Sequence, residues 1–106
     1  MEKDQFSEAT DEVLAHIAEQ IELQDKDYKI EIDMLGDILS IKVPAGEYII
    51  NKHSAAREVW LASPVSGPYH FAYSNKEWRN KKGIELLSLL SDELSLVTKI
   101  QLMQEH

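Results

Sequence analysis

The chain contains no cysteine among its 106 residues. This excludes a disulfide framework, thiolate zinc sites, a cysteine-ligated iron–sulfur cluster and a cysteine nucleophile. Long apolar runs are missing as well. The longest is Val59-Trp60-Leu61-Ala62, whereas a membrane-spanning helix needs ~20 such residues. The four glycines (Gly36, Gly46, Gly67, Gly83) are isolated turn residues, not a phosphate-cradling loop. Basic residues are scarce in the first third, where residues 1–37 hold 12 acids and three lysines, for a net charge of −9. Residues 38–106 sum to +1, so the whole chain's −8 comes from that one segment. Phosphate backbones and anionic lipid surfaces are bound by Lys/Arg clusters, so neither nucleic acid nor membrane is an expected partner. The opening MEKDQFSEATDE is acidic. It matches neither an Arg-rich transit peptide nor an apolar signal segment, so no targeting segment is expected.

Leu, Ile, Val and Phe make up 29 of the 106 residues, above the level of about 20% below which a charged chain stays disordered. One folded domain covering 1–106 is expected at this length. Residues 4–23 read as an amphipathic helix, since Phe6, Ala9, Val13, Ile17 and Ile21 recur at steps of three and four. Asp4 and Ser7 are candidate caps for it. Residues 28–34 alternate as a half-buried strand, with Ile30, Ile32 and Met34 on one side. Further strands are predicted over 38–43, 47–52, 57–62, 69–73 and 76–79. The SPVSGP stretch reads as a loop. Residues 84–97 read as a second helix, with Leu86, Leu87, Leu90, Leu94 and Val97 on one stripe. The tail holding Ile100, Leu102 and Met103 reads as a packed segment. Short turns between strands favour antiparallel pairing. The resulting fold class is α+β: a two-layer α/β sandwich with two helices on one face of a five- to six-stranded antiparallel sheet.

The acids of the first helix are unusual in their placement. Asp4, Glu8, Asp11, Glu12, Glu19 and Glu22 all fall on the face opposite the apolar stripe, with no Lys or Arg between them. Glu8/Glu12 and Glu19/Glu22 are like-charge pairs at i,i+4 and i,i+3, each costing a few tenths of a kcal/mol. The helix dipole rationalises Glu2 and Asp4 but not Glu19, Glu22 and Asp25, which lie at the negative end. Acids continue through Asp27, Glu31 and Asp33. Oxygen-only donors suit hard cations such as Mg²⁺, Ca²⁺, Mn²⁺ and Fe³⁺. The spacing matches neither a di-iron cage nor a calcium loop. A solvated face that keeps the protein soluble is the plainer explanation of the same pattern.

Alternation in the 57–62 strand turns Val59 and Leu61 one way and Trp60 the other, with Glu58 and Ala62. Ile49, Asn51 and His53 share a face by the same rule. Trp60 beside Asn51 and His53 is a candidate interface anchor, because Trp dominates binding hot spots. Packing of Trp60 in a cross-strand pair is the competing explanation. Phe71 and Trp78 read as core or edge packing. The histidines (His16, His53, His70, His106) lack metal-ligand spacing, with His16 beside the acidic arc, and no serine sits in a nucleophile-elbow context.

Tyr48-Ile49-Ile50-Asn51-Lys52, then Val59-Trp60-Leu61-Ala62-Ser63-Pro64-Val65-Ser66-Gly67-Pro68, then Trp78 and the closing helix resemble the frataxin family, whose bacterial members are called CyaY. The resemblance covers essentially the whole chain. It implies iron binding and a part in iron–sulfur cluster assembly, as iron donor or regulator of the cysteine desulfurase–scaffold complex. It implies weak iron (Fe²⁺/Fe³⁺) ligation by Asp11, Glu12, Glu19, Glu22, Asp25 and Asp27, with Asp4, Glu8 and Glu31 as outer candidates. It implies partner contacts through Asn51 and Trp60. His70 stands where mitochondrial members carry Arg and His53 where they carry Gln, and both join the expected partner-binding set. No enzymatic activity is expected, the protein is expected in the bacterial cytoplasm, and a monomer is expected with iron-dependent oligomerisation left open. A ferroxidase or iron-storage oligomer, and a protein–protein modulator with incidental iron binding, are the alternatives.

Overall fold

The computed structural model describes residues 5–102. Asp4, named above as a cap and an outer iron candidate, Met103 of the expected packed tail, and His106 lie outside them. The elements run α1 (Gln5–Gln24), β1 (Glu31–Leu35), β2 (Ile38–Val43), β3 (Gly46–His53), β4 (Glu58–Ser63), β5 (Gly67–Ser74), β6 (Glu77–Arg79) and α2 (Leu86–Leu94). The six strands form one antiparallel meander in sequence order, so β1 and β6 are its two edges. Both helices cover the same face. Leu39, Ile41, Tyr48, Ile50, Val59, Leu61, Phe71 and Trp78 point into it, and the other face of the sheet is open.

The predicted apolar stripe of α1 (Phe6, Ala9, Val13, Ile17, Ile21) is buried throughout, joined by Thr10 and Leu14. The Thr10 hydroxyl is satisfied by donating to the Phe6 carbonyl one turn back (2.9 Å). Ser7 is not a cap: it lies inside α1, where its hydroxyl accepts a hydrogen bond from Lys52 (2.8 Å).

Three regions depart from the sequence reading, each for a local reason. β1 starts at Glu31 rather than 28, because Tyr28 adopts φ 53° and the Lys29 and Ile30 amides bond a side chain instead of a strand. Met34 shares the face of Ile32, opposite Leu39, as alternation predicts, but is exposed because it lies near the end of this edge strand. SPVSGP is a tight turn rather than a loop: β4 continues to Ser63 and β5 begins at Gly67. The Ser63 hydroxyl closes it by accepting the Val65 and Ser66 amides (3.0 and 3.1 Å). α2 begins only at Leu86. The Asn80 side chain accepts the Lys82 and Ile84 amides, holding 80–84 in a turn, and Glu85 caps the helix by accepting the Leu87 and Ser88 amides. It ends at Leu94, where i→i−3 bonds from Leu96 and Val97 tighten the last turn.

The tail does pack. Ile100 and Leu102 are buried, and the Leu102 amide donates to the Ser91 hydroxyl (3.0 Å). His16 bonds the Leu102 carbonyl (2.8 Å), and Gln24 exchanges bonds with both backbone groups of Gln101. His16 is thus a tie between α1 and the tail, not an extension of the acidic arc.

One glycine is dictated by a neighbour. At Gly46 (φ 152°) a Cβ would lie 2.7 Å from Pro64 Cβ, so the β2–β3 and β4–β5 turns meet where only hydrogen fits. Beside that meeting point Glu93 of α2, almost fully buried, accepts hydrogen bonds from the hydroxyls of Tyr48 (2.9 Å), Ser63 (2.6 Å) and Ser66. Burial and this carboxylate push the Tyr48 hydroxyl above its ordinary pKa.

Candidate functional site

Two surfaces carry the residues singled out by sequence. The first is the solvent face of α1 with the β1 edge. Glu8, Asp11, Glu12, Glu19 and Glu22 are all exposed along α1, whose last turn contains no basic residue. Asp27 is exposed in the α1–β1 turn, and Glu31 is exposed on β1 at the sheet edge. Glu31 stands opposite Lys42 in the β1–β2 register.

Two of the expected ridge acids are engaged. Asp25 is only 5% exposed, and its carboxylate accepts the Lys29 amide (3.0 Å) on Oδ1 and the Ile30 amide (2.8 Å) on Oδ2. It is a cap for the chain reversal into β1, with both oxygens taken, and not an exposed donor of the ridge. Asp11 remains exposed but lies 3.7 Å from Lys52 Nζ, which also approaches Asp37 (3.9 Å). Lys52 reaches it because β3 alternation points that residue, like Tyr48 and Ile50, toward the helix layer. The others are uncompensated: among the described residues no Lys, Arg or His lies within ion-pairing distance of Glu8, Glu12, Glu19 or Glu22. Nor do three or more His, Asp or Glu side chains among the described residues converge into a metal cage.

The second surface is the open sheet face. The register places Leu35, Ile38, Asn51, Trp60 and His70 in one cross-strand row, running from the β1 edge toward β5. Trp60 faces outward there, half-buried, and the cross-strand packing considered for it is present. It is presented on the open face, and it is packed between two imidazoles. The His53 ring lies 3.4 Å from it, 14° from parallel, and the His70 ring 4.1 Å away, 4° from parallel. Glu58, on the same strand and face, accepts the indole Nε1–H (2.9 Å) and comes 3.8 Å from His70 Nδ1. Glu58 was not among the sequence candidates, although i,i+2 spacing on a strand is the signal that would have found it. Ile49, Asn51, Ala62, Pro68 and His70 surround the indole in a shallow groove of about 210 Å³. Phe71 and Trp78 lie in the core, as their positions suggested.

Two helices at the chain ends, a six-stranded antiparallel meander between them, an acidic first helix beside an edge strand, and a Trp on the open face define a class of small α+β domain. The frataxin-like domain family matches residues 1–100, and the chain belongs to that family. It is 30% identical over 96 residues to the mitochondrial frataxin homolog of Saccharomyces cerevisiae, covering 86% of this chain and 55% of that protein. The chain therefore spans about half the length of that relative. Among solved structures, the frataxin of Psychromonas ingrahamii has the same fold, with a TM-score of 0.83 at 24% identity over 98% of this chain and 100% of that one. The trimeric frataxin of Saccharomyces cerevisiae, complexed with ferrous iron, superimposes with a TM-score of 0.73 at 28% identity over 92% of this chain and 88% of that one.

Proposed function

We propose that this protein binds iron weakly as cargo and serves iron–sulfur cluster assembly as a non-enzymatic donor or regulator of a cysteine desulfurase–scaffold complex. The observation that carries the reading is the set of unpaired carboxylates Glu8, Glu12, Glu19 and Glu22 on one helix face. Their fit to iron is of a particular kind. Carboxylate oxygens suit hard Fe³⁺ and also bind borderline Fe²⁺, but among the described residues no three donors converge. Iron would be held by one or two carboxylates and its own waters, bound and released easily. That is a donor's property, not a store's. The same negative face would meet a basic patch on the desulfurase, and exposed charges are screened over ~8–10 Å, so salt should weaken that contact steeply. The Trp60 face, with Asn51, His53 and His70, would meet the scaffold.

The test is an anaerobic calorimetric titration of Fe²⁺, with amide line-broadening mapped in parallel. The Glu12→Gln/Glu19→Gln/Glu22→Gln variant should lose the iron heat and the broadening on α1 while keeping its fold. An unchanged iron isotherm in that variant would refute the ridge. A second reading, a protein–protein module with incidental iron, is favoured by one observation: the indole is fixed by two ring stacks and a hydrogen bond, whereas the described residues of the ridge form no cage. On that reading Trp60→Ala abolishes the effect on desulfurase turnover, and ridge substitutions act only through salt-sensitive docking.

A further inference from the structure

The free part of the β5 edge carries a third interaction surface, separate from the ridge and adjoining the Trp60 row at His70. β5 pairs with β4 from Gly67 to Ala72 but with β6 only at Ala72, Tyr73 and Ser74. The β5–β6 connection is a two-residue turn, Asn75-Lys76, with both residues at positive φ. In such a hairpin the flanking pair, Ser74↔Glu77, is the hydrogen-bonded one. By alternation Ala72, His70 and Pro68 then turn their backbone groups toward the same edge, and Tyr69 and Phe71 turn theirs toward β4. Two observations agree with this parity. Pro68, which has no N–H, stands where none is owed to β4. Trp60 and His70 face each other at a closely spaced pair, as their 4.1 Å ring stack requires.

β6 does not continue past Arg79, because Asn80 folds 80–84 into a turn through its own side chain. The His70 N–H and C=O and the Pro68 C=O are therefore left facing a groove of about 770 Å³. It is walled on the far side by Asn80, Lys81, Lys82 and Ile84. Lys81 and Lys82 are exposed, and among the described residues neither has an acid within ion-pairing distance. The one carboxylate lining the groove, Glu58, already accepts the Trp60 indole.

We propose that this groove receives an extended, acidic segment of a partner protein, added as a short extra strand to β5 with its carboxylates against Lys81 and Lys82. Main-chain bonding to an exposed edge gives affinity in such docking and flanking side chains give selectivity. Charge complementarity selects the occupant: paired lysines beside a free edge repel another basic edge and attract an acidic strand. The inference needs neither iron nor the α1 ridge.

The test uses the intact ¹⁵N-labelled chain and three capped synthetic peptides: one alternating Val and Glu, its Lys-for-Glu counterpart, and the acidic peptide with alternate amides N-methylated. The acidic peptide should shift amides of 67–71 and 80–84 and slow hydrogen exchange at the His70 amide. The exposed-loop variant Lys81→Glu/Lys82→Glu, its unperturbed spectrum showing an intact fold, should weaken binding about tenfold or more. The N-methylated peptide should not bind. Absence of binding, equal binding of the basic or N-methylated peptide, shifts centred elsewhere, or concentration-dependent shifts at the same amides from self-pairing of this chain would each overturn the proposal.

Discussion

Asp25 and its neighbours on α1 offer the sharpest test of how this surface is built, because the same residue type performs opposite tasks a few positions apart. Replacing Asp25 by Ala removes two charge-assisted bonds to backbone amides, at 3.0 and 2.8 Å. Hydrogen bonds to a charged group contribute about 1.5–3 kcal/mol each. Lys29 is exposed, so its freed amide finds water, whereas Ile30 is buried and its amide would be stranded. The loss is therefore in the lower half of the summed range, about 3–4.5 kcal/mol. For a domain of this size that lowers Tm by roughly 10–25 °C. Replacing Glu19 and Glu22 together should instead leave stability unchanged or raise it by a few tenths of a kcal/mol, since it relieves a like-charge pair at the negative end of a helix.

Urea unfolding monitored by far-UV circular dichroism separates the two, with the m-value checked for constancy so that a midpoint change can be read as a stability change. Iron titration on the same samples completes the test. Asp25→Ala should keep its iron heat at temperatures where it is folded, and Glu19→Ala/Glu22→Ala should lose much of it. If Asp25→Ala unfolds within about 1 kcal/mol of the parent, well below the estimate for two bonds to a charged group, its carboxylate is not the cap that the geometry makes it. If the Glu19/Glu22 variant is the one that collapses, the acidic face is structural and the reasoning fails.

Two further outcomes follow from the buried interior. Tyr48 donates to Glu93 inside the fold, and its hydroxyl titrates above the ordinary tyrosine range. The unfolded chain therefore releases that proton first as pH rises past ~10, so stability is full below that pH and declines above it. Tyr48→Phe should show a lower plateau at neutral pH and a shallower alkaline decline by chemical denaturation; a decline as steep as the parent's would refute the assignment. At the meeting of two turns, Gly46→Ala forces a methyl against Pro64 Cβ and should cost about 1–3 kcal/mol, with Pro64→Gly, which removes that Cβ, recovering part of it in the same chain.

The hydrophobic period made the architecture legible. Five apolar positions on α1 and the strict alternation of β2 through β5 left one arrangement that buries both sets. What was not legible was set by side chains bonding their own backbone. Asp25, Ser63, Asn80 and Glu85 each intercept amides within five residues, and each moves an element boundary. These residues carry polar letters that read as surface, and no periodicity distinguishes an acid that caps from an acid that waits for a cation. The same ambiguity hid Lys52. Its place beside Asp11 depends on β3 delivering a lysine under the start of α1, a juxtaposition of residues 41 positions apart. The Trp60 stack was half legible: alternation put the indole on the open face, and only the cross-strand register brought His53 and His70 onto its two sides.

An acidic face of this kind persists because α1 can carry it at low cost. The helix buries seven side chains against the sheet and the second helix. Burying a Val, Leu, Ile or Phe contributes about 1.5–3 kcal/mol, while each surface like-charge pair costs a few tenths. The stripe that faces inward outweighs the repulsion that faces outward several times over, so the outward face is free to be selected for something other than stability. That freedom distinguishes Glu8, Glu12, Glu19 and Glu22 from Asp25, Glu85 and Glu93, whose oxygens are all engaged by amides and hydroxyls within the fold. Acids committed inward hold the scaffold in register. Acids left unpaired outward set its field, and a cation or a basic protein surface is what such a field draws in.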